Sequence, residues 1–232
     1  MGFSRTLEPE ILDLLAADDP RAHASRGDLV RINFVMRQQT IMANLLRSLA
    51  PPRRLADLGS GDGRFLLGVA RRMAPHWPKV TPLIVDRKDV VSAHTRAGFA
   101  ALGWTCESVT EDIFAALPRL DAQIITANLF LHHLGEADLR QLLGLAAQQV
   151  RGFVACEPRR SRAALLASRM VFALACNDVT RHDAVASVRA GFAGRELSHL
   201  WPEAGWQRRE GLALPFTHFF AAHCLSMQRD AL

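Results

Sequence analysis

The chain has 232 residues, 49% of them hydrophobic and 22% charged, with a formal charge of +5. That length and apolar content can bury one full core; no run of about 18 uncharged apolar residues is present, and the N-terminal Met1-Gly-Phe-Ser-Arg-Thr-Leu-Glu lacks the apolar centre of a leader, which excludes a membrane span. Cys106, Cys156, Cys176 and Cys224 form no C-x-x-C pair, so spacing suggests neither a disulfide framework nor a zinc site, and a reducing cytoplasm is expected. The lysines are only Lys79 and Lys88 and the arginines are scattered, so the basic balance is read as composition and a nucleic-acid partner is not expected.

In chain order, Pro9 suits the first turn of a helix running through Leu15, and Ala17-Asp-Asp-Pro20 reads as its break. Ser25 to Ser48 reads as a second helix with Leu29, Ile32, Val35, Met36, Met42, Leu45 and Leu49 on one side, ended by Pro51-Pro52. Strands are expected at 54–58, Thr81–Asp86, Trp104–Ser108, Gln123–Asn128 and Gly152–Glu157. Helices are expected at Arg64–Met73, Ala93–Leu102 and Glu136–Val150 between them, the alternation of a parallel sheet with crossovers. Ser161–Ala175 and Asp183–Phe192 read as helices, and Trp206–Ala213 and Thr217–Cys224 as two closing strands joined at Leu214-Pro215.

The most telling segment is Arg54-Leu-Ala-Asp-Leu-Gly-Ser-Gly-Asp-Gly63: a strand carrying Asp57 that runs into Gly59, Gly61 and Gly63 and then a helix. Glycines crowded between strand and helix let a ligand approach the backbone without meeting a Cβ. A P-loop would need Lys-Ser or Lys-Thr after the last glycine, where Arg64-Phe65 stands, and the G-x-G-x-x-G spacing of dinucleotide binders is absent. G-x-G-x-G with an acidic residue two positions ahead resembles instead the first motif of the class I (Rossmann-like) S-adenosylmethionine (SAM) methyltransferases, and the resemblance extends over about residues 51–158.

That resemblance implies an α/β three-layer sandwich with a seven-stranded, mostly parallel sheet whose last strand is antiparallel, and SAM as cofactor with S-adenosylhomocysteine as product. It implies a cofactor site of Asp57, Gly59, Ser60, Gly61 and Gly63, with Asp86 and the adjoining Arg87 at the ribose, Asp112 and Ile113 at the adenine, and Asn128 and Leu129 beside the transferable methyl. Residues 1–50 are then a helical arm or lid packed on a methyltransferase domain of residues 51–232, with a helical substrate-lid insertion at about 159–200.

Methyl transfer to a hydroxyl needs a place for its proton, and histidine is matched to that task near neutral pH. His133 and His132 follow the fourth strand at the ligand edge of the sheet, with His182 as a rival in the lid. Asn128-Leu129-Phe130 lacks the Pro-Pro-Tyr or Leu-Pro-Tyr that follows the Asn or Asp in methylases of base amino groups, the chain has no tyrosine, and Asn128 and Glu157 alone do not make a magnesium site, so no metal is implied. The motif Asn128-Leu-Phe-Leu-His-His-Leu resembles that of methylases of quinones, polyketides and other secondary metabolites. The expected function is O-methylation of a small, partly apolar phenolic, quinol or polyketide-type hydroxyl. Phe34, Met36, Phe130, Met170 and Phe172 are candidates to line the acceptor pocket, and Arg159, Arg160 and Arg189 to recognise an acidic acceptor. An RNA or protein methyltransferase using the basic surface, or a SAM-binding protein without catalysis, stays open, as does a homodimer.

Overall fold

The computed structural model describes residues 3–16, 18–171 and 175–225; Phe172, a pocket candidate, lies outside them. Seven strands form one sheet: β1 (Arg54–Leu58), β2 (Thr81–Asp86), β3 (Glu107–Thr110), β4 (Ile124–Asn128), β5 (Gly152–Pro158), β6 (Trp206–Ala213) and β7 (Thr217–Cys224), in the order β3-β2-β1-β4-β5-β7-β6. All pairings among β1 to β5 are parallel, and β7 runs antiparallel to both β5 and β6. The chain order therefore reverses between β1 and β4, which opens a crevice at their carboxyl ends, where open α/β sheets bind ligands.

The central strands are apolar on both faces because helices cover both. Ala56, Leu58, Leu83, Val85, Ile125 and Ala127 point to one side, where α7 (Glu136–Gln149) contributes Leu139, Leu142, Leu143 and Ala146. Their neighbours Leu55, Ile84, Ile124 and Val154 point to the other, against α3 (Gln38–Leu46) and α4 (Arg64–Met73) through Met42, Leu46, Leu66 and Val69. The result is the expected three-layer sandwich. Strand three starts at Glu107 rather than Trp104, because Trp104 is buried as a loop residue with its indole N–H on the Trp77 carbonyl.

The N-terminal helices differ from expectation. Helix α1 is only Ile11–Leu14. Pro20 does not end a helix; it begins α2 (Pro20–Val35) at N1, with the Asp19 carboxylate accepting Arg21 N–H as the cap. The single helix expected to Ser48 breaks at Met36-Arg37, where Arg37 takes a left-handed conformation (φ 56°) before α3. The buried face of α2 is polar: Ser25 meets Thr180, and Asp28 accepts Asn177 N–H and the Thr180 hydroxyl. Its apolar stripe, including Leu29, Ile32, Val35 and Met36, faces a cavity instead.

Beyond β5 lie α8 (Arg162–Arg169), α9 (Asp178–Ala190) and α10 (Glu196–Leu200). Helix α9 starts five residues earlier than expected because Asn177 caps it, accepting Thr180 N–H.

Candidate functional site

A cavity of about 800 Å³ opens at the carboxyl ends of the strands, between the glycine loop, the arm and the α8–α9 segment. The loop at its floor is built by three left-handed glycines, Gly59 (φ 63°), Gly61 (φ 54°) and Gly63 (φ 73°). A Cβ at Gly59 would lie 2.2 Å from the Phe130 ring, so the first glycine seats that ring; one at Gly61 would meet no protein atom within 4 Å and would project into open space. Gly61 is thus a place where backbone is bared to a ligand. Gly63 caps α4.

Asp86, at the end of β2, lines the cavity. Its two oxygens accept the N–H groups of Gly61 (2.9 Å) and Lys88 (3.0 Å), which fixes the carboxylate and leaves lone pairs for hydroxyl donors. Arg87, Asp112, Ile113 and Leu129 also line the cavity, with Asp112 capping α6 (Ile113–Ala116) by accepting Phe114 N–H.

Asp57, Ser60, Gly63 and Asn128 are not in the wall. Asp57 lies buried beneath the loop, accepting the Thr126 hydroxyl at 2.7 Å, and burial pushes its pKa up from 3.8 to about 6 despite that bond. Ser60 donates its hydroxyl to the Asp57 carbonyl. Asn128 donates to Asn33 Oδ1 of the arm, while its own Oδ1 is buried with no partner among the described residues.

The raised Asp57 pKa has a consequence for stability. Between pH 4 and 6 the folded protein keeps a proton that the unfolded chain has released, so this carboxyl's contribution falls as pH rises and is lowest above 6. Asp57→Asn is expected to stabilise the ligand-free protein at pH 8, by an amount of order 1 to 3 kcal/mol, and to add little at pH 4. Thermal melts of both proteins at the two pH values measure this, and an unchanged or lowered melting point at pH 8 counts against it.

At the end of β4 the chain turns sharply through Leu129, a non-glycine residue at φ 51° whose N–H is held by the Cys156 carbonyl. Backbone in this region costs of order 1 to 3 kcal/mol and persists where its surroundings impose it. Here the turn aims the N–H groups of Phe130 and Leu131 at Glu157 Oε1, at 3.1 and 2.9 Å. Glu157 is fully buried and its Oε2 lies 2.7 Å from His132 Nδ1.

His132 is 2% exposed, and its other nitrogen, Nε2, is 3.2 Å from Glu10 Oε1. Burial alone would depress the imidazolium, but hydrogen bonds and charge from Glu10 and Glu157 outweigh it and raise the pKa to about 9. Both ring nitrogens of His132 therefore face carboxylates, which favours the protonated ring in the metal-free chain. Glu10 is held below the usual carboxylate range; burial opposes that shift, and the contacts to His132, His133 and Ser187 prevail. His133 lines the cavity with Nδ1 3.3 Å from Asp13 Oδ2 and Nε2 3.9 Å from Glu10 Oε2.

Several candidates lie elsewhere. His182 is outside the wall, with Nδ1 3.0 Å from its neighbour Asp183. Phe34 is 80% exposed on the side of α2 opposite Met36 and lines nothing; Met36, Phe130 and Met170 do line the cavity. Arg159 turns away to His218, Arg160 pairs with Glu196 and Arg189 with Glu8, and none of the three lines the cavity.

Sequence reasoning missed Glu10 and Asp13, which arrive from the arm 122 and 120 positions before the histidines they meet. It also missed Asp183, which is buried and accepts the N–H groups of Ile11 (2.8 Å) and Leu12 (3.0 Å), tying α1 across the cavity. No local signal marks such long-range partners.

No protein-family model and no curated protein matches the chain. Solved structures share its fold. An O-methyltransferase family protein from Burkholderia thailandensis is 19% identical, with a TM-score of 0.58 over 88% of this chain and 61% of that one. An N,N-8-amino-8-demethyl-D-riboflavin dimethyltransferase from Streptomyces davawensis is 18% identical, with a TM-score of 0.57 over 93% and 62%. The chain thus spans about three fifths of the length of these two. The plantazolicin methyltransferase BamL, solved with a triazolic desmethylPZN analog and SAH, is 12% identical, with a TM-score of 0.62 over 92% of this chain and 93% of its own. The fold is that of the class I methyltransferases.

Proposed function

We propose that the protein is a SAM-dependent methyltransferase acting on a small, partly apolar acceptor, with a phenolic, quinol or polyketide-type hydroxyl of secondary metabolism as the acceptor class. One observation carries the cofactor reading: the bared backbone at Gly61 lies directly beside the Asp86 carboxylate in the wall of the cavity. SAM laid along that loop would place its ribose hydroxyls on Asp86, its adenine near Asp112 and Ile113, and its methionine portion over Gly59 and Gly61. The buried, poorly solvated Asp57 beneath would favour the ligand's ammonium. Phe130, whose ring sits on Gly59, and the tight Leu129 turn would border the sulfonium.

The cofactor supplies the difficult chemistry, and the protein's part is to align a nucleophile with the methyl group and exclude water. The acceptor side of the cavity is walled by Met36, Leu29, Ile32, Met170 and Val171, apolar surface suited to a hydrophobic acceptor. The Glu10, His132 and His133 cluster is its polar end.

The test joins calorimetry to an assay. The protein should bind S-adenosylhomocysteine in the low micromolar range or tighter, about 8 kcal/mol, and Asp86→Ala should weaken it by about 1.5 to 3 kcal/mol through lost charge-assisted bonds. With labelled SAM, a panel of long-chain phenols and quinols should acquire label. Normal binding by Asp86→Ala would remove the cofactor assignment. Label appearing only on RNA or protein would favour the basic-surface reading, and binding without transfer to any acceptor would indicate a non-catalytic SAM protein.

A further inference from the structure

We propose that Glu10, His132 and His133 form a binding site for one divalent cation of the zinc class, with Glu157 and Asp13 orienting the two imidazoles. One donor atom from each of the three residues lies within 4.8 Å of the others. Glu10 stands between the rings, 3.2 Å from His132 Nε2 and 3.9 Å from His133 Nε2. Donors around a four-coordinate ion at bonds of about 2.0 to 2.2 Å are roughly 3.3 to 3.5 Å apart, so small side-chain rotations would close the set.

The second nitrogens supply an independent observation. His132 Nδ1 is 2.7 Å from Glu157, and His133 Nδ1 is 3.3 Å from Asp13. Each imidazole thus has a carboxylate on Nδ1 and turns Nε2 toward the shared Glu10, the carboxylate–histidine arrangement that sets tautomer and ring direction in metal centres; an ion bound there displaces to solvent the proton that His132 Nε2 shares with Glu10. Glu157 is itself fixed by the Phe130 and Leu131 N–H groups, at the strained turn. Two imidazoles and one carboxylate suit zinc or a similar transition ion and not magnesium or calcium, which take oxygen sets.

Three protein donors leave a coordination position open, and the residues border the cavity. What the ion does there, though not its binding, rests on the methyl-transfer reading. An acceptor hydroxyl on the open position would release its proton to solvent because the ion lowers its pKa. The oxygen lone pair then bonds to the methyl carbon as the carbon–sulfur bond breaks, its electrons passing to sulfur to leave the neutral thioether. No histidine base is required.

The test uses the full chain, stripped with a chelator and titrated with zinc alone against a chromophoric competitor, then with cobalt followed by absorption. One equivalent should bind at micromolar affinity or tighter, and cobalt should give the visible bands of a four- or five-coordinate ion. Glu10→Gln and His133→Asn should each weaken zinc by 10-fold or more, and Asp13→Asn by about 10-fold. His132 is deeply buried and its replacement can unfold the chain, so the two less buried ligands decide. Failure to bind an equivalent, or unaltered affinity in Glu10→Gln and His133→Asn, overturns the site. S-adenosylhomocysteine calorimetry on the stripped protein separates the two readings: a chain that binds the cofactor but takes up no zinc in the titration loses the metal site alone, and one that takes up zinc but binds no cofactor keeps the site and loses the methyl-transfer reading.

Discussion

The Gly61→Val variant is expected to fold and to lose S-adenosylhomocysteine affinity by at least about 100-fold, roughly 2.7 kcal/mol. Two effects combine. Position 61 has φ 54°, a conformation that a β-branched residue adopts only at a cost of order 1 to 3 kcal/mol, so the loop would either shift or hold strain. Whichever it does, the new side chain projects into the open space that no protein atom occupies within 4 Å. The Gly61 N–H that Asp86 accepts would move with the loop, coupling the lesion to that carboxylate. Gly61→Ala should give an intermediate loss, having less strain and less bulk than the β-branched valine. Circular dichroism and thermal melts establish folding, and calorimetry reads the affinity. A folded Gly61→Val variant that binds normally would mean the ligand does not pass over this loop.

Most of the sheet was legible in the chain: the inner parallel strands β1, β2, β4 and β5 are continuous apolar runs with definite ends, and the antiparallel pair β6 and β7 is punctuated by Leu214-Pro215. Thr81–Asp86, Trp206–Ala213 and Thr217–Cys224 were read to the residue, and the glycines at 59, 61 and 63 marked the loop by their spacing. Other parts failed for identifiable reasons. Pro20 can end or start a helix, and only the Asp19 cap shows which. Nothing in Met36-Arg37 announces a left-handed residue. The apolar stripe of α2 suggested a core face, but it faces the cavity while Ser25, Asp28 and Asn33 make the buried contacts, so hydrophobic pattern and burial disagree on that helix.

The polar end of the site was half legible. His132 and His133 were singled out by their place after the fourth strand, yet their chemistry depends on Glu10, Asp13 and Glu157, which no spacing connects to them. Once both nitrogens of His132 are known to face carboxylates, its role as a proton acceptor no longer follows from its position.

Loosening the arm is expected to cut methyl transfer by about 100-fold while leaving cofactor affinity within a few fold. Ahead of α3 the arm has few apolar anchors, α1 having no buried residue, so the placement of its first segment rests on polar contacts that single substitutions can remove. Asp183 accepts both leading N–H groups of α1, and Arg5 donates to the carbonyls of His132, Leu134 and Ala190. Asp183→Ala and Arg5→Ala alter neither Gly61 nor Asp86, so the contacts proposed for the cofactor persist. What they release is the segment that brings Glu10 and Asp13 to the histidines and Leu12 and Leu29 to the cavity wall. Misplacing such groups by about 1 Å is enough for a 100-fold loss, and an open lid admits water. Single-turnover transfer from labelled SAM, with calorimetry on the same variants, distinguishes the outcomes. Equal loss of binding and turnover would mean that the arm supports the whole fold, whereas full activity in both variants would mean that it does not close the site at all.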